Sequence, residues 1–108
     1  MAEISAEDFK KLELRVAKVL EVSEIPGADR LWKLRIEVGL ETKEIVAGVK
    51  KFYTREQLIH KSIVVVNNLA PAMIKGVESR GMLLAAKSEN ALSLIVLDAE
   101  LPSGSVVG

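Results

Sequence analysis

Residues 32–38 alternate large apolar and charged side chains without a slip, Trp32, Leu34, Ile36 and Val38 against Lys33, Arg35 and Glu37. Side chains in an extended chain point to opposite faces with a period of two, so this pattern sorts cleanly only on a strand with one face on a core and one in water. Neighbouring segments supply partners for it. Leu12, Leu14 and Val16 alternate with Glu13 and Arg15, after which the apolar phase moves to Val19 and Val22, a shift that predicts a bulge or bend near Ala17. Ile25-Pro26-Gly27-Ala28-Asp29 reads as a turn. Gly39 leads into a polar stretch, Glu41 to Glu44, read as a second turn, with Ile45 to Val49 returning as the third strand of a meander.

The continuous β-branched run Ile63 to Val66 suits a central strand buried on both faces. Asn67-Asn68-Leu69-Ala70-Pro71 then opens a loop carrying Met73, Lys75 and Gly76. Gly81 to Ala86 and Leu92 to Leu97 read as further strands around the Lys87-Ser88-Glu89-Asn90 turn. Two short helices interrupt the strands. Ser5-Ala6-Glu7-Asp8 has the form of a helix start, giving a helix over residues 5–10; Thr54-Arg55-Glu56-Gln57 has capping-box form between Tyr53 and Leu58, giving a second over 54–59. Short strands with one helix between the third and fourth predict an all-β, five-stranded OB-fold barrel. A length of 108 residues, 49% of them hydrophobic, with no linker or repeat, suits one domain over 1–108.

Catalytic and cofactor chemistry finds little to work with. The chain has no cysteine and one histidine, His60, so Cys-rich zinc sites and thiolate nucleophiles are excluded and a multi-His metal site would need a partner chain. Its seven glycines match neither GxGxxG nor GxxxxGK[ST], and no serine lies in a GxSxG elbow. The expectation is a non-enzyme without metal or cofactor. The N-terminus carries Glu3, Glu7 and Asp8 where a secretion signal needs positive charge, and no apolar run is long enough for a membrane helix, so a soluble cytoplasmic protein is expected.

Total charge conceals its distribution. Fifteen Lys and Arg balance fifteen Asp and Glu, yet residues 1–46 hold eight basic and ten acidic side chains, 47–87 hold seven and two, and 88–108 hold none and three. The middle segment, with Lys50, Lys51, Arg55, Lys61, Lys75, Arg80 and Lys87, has the composition of a phosphate-binding face or of a solvated one. Aromatics are few: Phe9, Trp32, Phe52 and Tyr53. Trp32 is in phase with Leu34 and reads as packing in the core or barrel mouth, with base stacking the alternative; if nucleic acid is bound, so few aromatics imply contact mainly to backbone and shape, with few stacked bases.

The segments Ile45 to Tyr53, Asn68-Leu69-Ala70-Pro71 and Gly76 to Ala86 resemble the tRNA-binding domain family, as do Asp8-Phe9, Leu12 to Val16 and Pro26 to Leu31. Members of that family occur as free-standing homodimers, as the C-terminal domain of methionyl-tRNA synthetases and in endothelial monocyte-activating polypeptide-like proteins. The resemblance implies an OB-fold homodimer that holds tRNA for an aminoacyl-tRNA synthetase of methionyl type, recognising structure more than sequence. It places RNA contacts at Asn68, Lys75, Ser79, Arg80 and Met82, with Lys33, Lys50 and Lys51 completing the candidate set. Lysine and arginine neutralise phosphates, the Asn68 amide and Ser79 hydroxyl suit sugar or phosphate oxygens, and Met82 offers an adaptable apolar contact or a core residue. Met73 stands where related sequences usually have a basic residue. A sister branch of the fold, homodimeric secretion-associated chaperones that bind unfolded polypeptide, is the alternative, and the uninterrupted Asp29 to Leu34 stretch with the intact Gly76 to Met82 motif looks more like the tRNA-binding branch.

Overall fold

An 11-residue strand forms the hub of the molecule. The computed structural model, which describes residues 2–108, runs α1 (Ala6–Lys10), β1 (Leu14–Glu24), β2 (Trp32–Val38), β3 (Glu41–Ala47), α2 (Arg55–Leu58) and β4 (Ser62–Val66). Short strands follow: β5 (Ala72–Ile74), β6 (Val77–Ser79), β7 (Met82–Leu83), β8 (Ala85–Lys87), β9 (Leu92–Leu94) and β10 (Val106–Val107). The main sheet has the order β3-β2-β1-β4-β7 with β10 also on β1, while β5–β6 and β8–β9 are separate hairpins.

The outer members of that order meet. The Arg80 amide donates to the Glu44 carbonyl at 2.9 Å, which ties β3 to the segment joining β6 and β7 and curls the sheet into the expected OB-like barrel. Val19, Leu34, Ile36, Ile45, Leu58 and Val65 are fully buried inside it, each contributing about 1.5–3 kcal/mol. A second, smaller cluster of Ile25, Ala28 and Val46, joined by Leu31, Ile74 and Val77, lies on the opposite face of β3. Both helices form where their caps predict: the Ser5 hydroxyl accepts from the Asp8 amide, and Thr54 and Gln57 make the reciprocal capping box.

Three local readings change. β3 begins at Glu41 and the turn is Gly39-Leu40, because Val38 pairs with Glu41 and Gly39 takes φ 64°, the glycine-first geometry of a two-residue hairpin. In β1 the register with β2 shifts between Val19 and Glu21, beyond Ala17. Val16 and Ala17 are both buried because they face opposite sides of a strand covered on both. The loop predicted around Met73 and Lys75 is the β5–β6 hairpin.

Candidate nucleic-acid interface

Lys75 and Gly76 form the two-residue tip of the β5–β6 hairpin, between the paired Ile74 and Val77, with φ of 51° and 82°. Two successive positive φ values match the right-handed twist of the flanking strands. Ile74 and Val77 pack into the small cluster on β3, so the exposed Lys75 rises from a fixed base. Behind it Ser79 is 4% exposed. Its hydroxyl accepts from the Val46 amide at 2.9 Å and donates to the Gly81 carbonyl at 3.1 Å. The family resemblance implies an RNA oxygen for that hydroxyl; here it is committed inside the barrel wall, and Ser79 positions its neighbours.

Arg80 beside Glu44 and Ser79 beside Val46 fix the direction of this segment along β3, with Val77 and the tip continuing toward Leu31 and Gly48. The distance from Glu44 to Gly48 along an extended chain is roughly 13 Å. Arg80 is exposed at one end of this strip. At the other lies a groove lined by Arg30, Leu31, Gly48, Lys51, Phe52 and Lys87. The Lys50 amide donates to the Arg30 carbonyl at 3.2 Å, which cross-links two of the loops forming its walls, and the Phe52 amide donates to the Val49 carbonyl at 2.9 Å within one of them. Among the described residues no carboxylate pairs with Arg30, Lys51, Lys75, Arg80 or Lys87. Lys33 pairs across the sheet with Val46, which puts it on the same face, and its ammonium lies 3.8 Å from the Glu44 carboxylate.

Other residues of the candidate set are placed elsewhere or engaged. Lys50 donates to the Glu24 carboxylate at 2.9 Å and sits 4.8 Å above the Trp32 ring, so its charge is directed away from the groove. Trp32 itself is buried, with its indole N–H on the Tyr53 carbonyl at 2.9 Å, which leaves it no face for a base. Asn68 belongs to a different region: its Oδ1 accepts the Glu13 amide at 2.8 Å and its Nδ2 donates to the Lys11 carbonyl at 2.7 Å, clipping the N-terminal segment to the barrel. Met82 is 49% exposed, opposite Val66 in the β4–β7 pair. Lys61 lines a separate pocket with Glu100, apart from the groove that holds Lys51 and Lys87, so the basic segment does not form one face.

Beside Asn68 lies a polar network that the sequence reading missed. Lys43 shares the inner face of β3 with Ile45 and Ala47 and is 7% exposed. Its ammonium donates to the Asn67 carbonyl at 2.8 Å and stands 3.8 Å from the Glu41 carboxylate. Burial pushes the Lys43 pKa below the usual lysine range, with Glu41 opposing. The Asn67 Nδ2 donates to Glu13 at 2.9 Å, and this bond, followed by the Arg15 guanidinium at 3.4 Å, holds the Glu13 carboxyl below its usual value. Asn67 Oδ1 is buried without a partner among the described residues. The signal for Lys43 was its period-two spacing from Ile45 and Ala47, masked by the charged residues around it. Arg30, Phe52 and Lys87 were missed as a group because the fold alone joins their distant loops.

Among the described residues no group of three or more His, Asp or Glu side chains is arranged to hold a metal ion, and no helix is long and apolar enough to cross a membrane.

The model of a family described as "Putative tRNA binding domain" matches residues 14–106. Over 104 residues, 96% of this chain, the sequence is 48% identical to the methionine–tRNA ligase of Thermotoga maritima and 45% identical to that of Caldanaerobacter subterraneus subsp. tengcongensis. It spans 16% of the length of each of these ligases. A MetRS-related protein from Pyrococcus horikoshii superimposes with a TM-score of 0.93 at 33% identity, covering the whole of both chains. The chaperone CsaA from Bacillus anthracis superimposes with 0.89 at 32% identity, covering 99% of this chain and 100% of that one.

Proposed function

The chain belongs to the tRNA binding domain family, and from that premise we propose that it is a non-catalytic module that holds folded tRNA by its phosphate backbone along the β3 strip. The observation that carries this reading is the line of exposed cations from Arg80 through Lys75 to Arg30, Lys51 and Lys87, with no carboxylate paired to any of them among the described residues. Cations held on fixed backbone select the spacing of phosphates in a folded RNA, which is recognition by shape. Lys33 flanks the strip and Met82 offers an apolar contact near Arg80. Ser79, Lys50 and Asn68 act through the backbone and neighbours that they position.

In this reading the module raises the local concentration of tRNA for a cytoplasmic methionyl-tRNA synthetase, as part of the same chain or as a separate partner. Two copies associate in this reading: Leu12 and Val106 are exposed beside β10, at a groove whose rim of Lys10, Lys11, Glu13 and Arg15 would frame the contact with a second copy. Sedimentation at micromolar concentration tests this, and a monomer mass would contradict it.

Titration with tRNA at about 50 and 200 mM salt tests the main reading, because displaced counterions make phosphate binding fall steeply as salt rises. The expected result is tight binding at low salt with a strongly negative log–log slope. Failure to bind tRNA at low salt, together with capture of unfolded polypeptide, would transfer the chain to the chaperone reading.

A further inference from the structure

The groove at the Gly48 end of the strip combines two features that phosphate binding alone does not need. Phe52 is 44% exposed in it, and its backbone amide is fixed to Val49, so the ring is presented by a braced turn. Around the ring stand Arg30, Lys51 and Lys87, and the lining contains no acidic side chain. Lys50, the nearest other cation in sequence, is turned to Glu24 and Trp32 and leaves the groove to these three. Gly48 contributes bare backbone to the lining: a Cβ there would stand 3.8 Å from Leu31, so its missing side chain leaves room without strain.

We propose that this groove takes one unstacked nucleotide of an RNA strand, its base on the Phe52 ring and its flanking phosphates on Arg30, Lys51 and Lys87. The inference rests on the RNA-binding reading and adds to it a subsite for a splayed-out base. A nucleotide presents an aromatic face between anionic groups, which complements an aromatic ring between cations. An acidic peptide would satisfy the cations and leave the ring without a flat partner. The β3 strip leads toward the groove through Leu31, which lines it and packs against the same Ile25, Ala28 and Val46 cluster as Ile74 and Val77 below the Lys75 tip.

The test uses the whole chain with dye-labelled octaadenylate RNA and an abasic oligomer of the same length, followed by anisotropy. Wild type should bind octaadenylate more tightly than the abasic strand. Phe52→Leu should lose about ten-fold for octaadenylate with no change for the abasic strand, and Phe52→Tyr should retain binding. Lys51→Ala and Lys87→Ala should each flatten the salt slope by about 0.7. Thermal melting checks that each variant is folded. Equal affinity for the two strands or an unaffected Phe52→Leu variant would overturn the proposal. The same proteins and an Arg80→Ala variant, titrated with tRNA, separate the two readings. Loss of tRNA affinity in Arg80→Ala with no effect of Phe52→Leu on octaadenylate removes the groove and keeps the module. Aromatic-dependent octaadenylate binding without tRNA binding does the reverse.

Discussion

The Val46 amide donates to the Ser79 hydroxyl at 2.9 Å inside the barrel wall, and the same hydroxyl donates to the Gly81 carbonyl. One side chain thus satisfies two backbone groups where β3 meets the segment that carries Arg80. Ser79→Ala leaves the buried Val46 amide without its partner, at an expected loss of about 1–3 kcal/mol. Urea denaturation should show a lower midpoint, while tRNA affinity of the folded protein falls less than in Arg80→Ala. An unchanged midpoint would mean that the hydroxyl does not close the barrel.

Lys75 separates charge from turn geometry. Its φ of 51° is tolerated better by Asn than by Lys, so Lys75→Asn should keep or raise stability by up to about 1 kcal/mol. The variant should also bind tRNA more weakly, with a salt slope reduced by about one. Unchanged affinity would show that the hairpin tip touches no phosphate.

Glu13 makes the anchoring of the N-terminal segment sensitive to acid. Its folded pKa lies below the usual 4.5, chiefly through the Asn67 hydrogen bond and then Arg15. The unfolded chain therefore binds more protons in that range, and the stabilisation, present above 4.5, is lost as pH falls through the folded value. Glu13→Gln keeps an acceptor for Asn67 and does not titrate. The stability difference between wild type and variant should shrink as pH falls below 4.5, measured by thermal melting in acid buffers; a constant difference would contradict the assignment.

Gly104 and Gly27 both have positive φ, 89° and 76°, and differ in their surroundings. A Cβ at Gly104 would fall 2.8 Å from the Gly39 Cα and 2.9 Å from its nitrogen, whereas one at Gly27 meets nothing within 4 Å. Gly27→Ala should cost about 1 kcal/mol from backbone strain alone. Gly104→Ala adds a backbone clash and should cost about 2–5 kcal/mol. Equal melting temperatures for the two variants would place the C-terminal segment off the β2–β3 turn.

Patterns set by local chemistry were readable from the sequence. Trp32 to Val38 had to be a strand, Thr54 and Gln57 had to start a helix, and the motif around Gly76 to Ala86 pointed to the family. What escaped reading depends on distant residues. Lys43 belongs to the barrel interior because Asn67, 24 positions away, offers it a carbonyl. Ser79 and Asn68 carry polar groups that suit RNA, and their engagement with Val46 and with Lys11 and Glu13 is decided by chain crossings that no local pattern encodes. The β5–β6 hairpin was hidden because Lys-Gly is a weaker turn signal than Asn-Gly.

β10 lies on β1, with Val107 opposite Leu14, and β2 separates β1 from β3 in the sheet. Chain entry and exit are therefore neighbours on the hub strand, one strand removed from the strip that carries the cations. A tether attached at either end leaves the cationic strip on another strand and does not have to unpair it. If the strip holds RNA as proposed, such a unit is portable, because a tether at that edge would not cross the ligand.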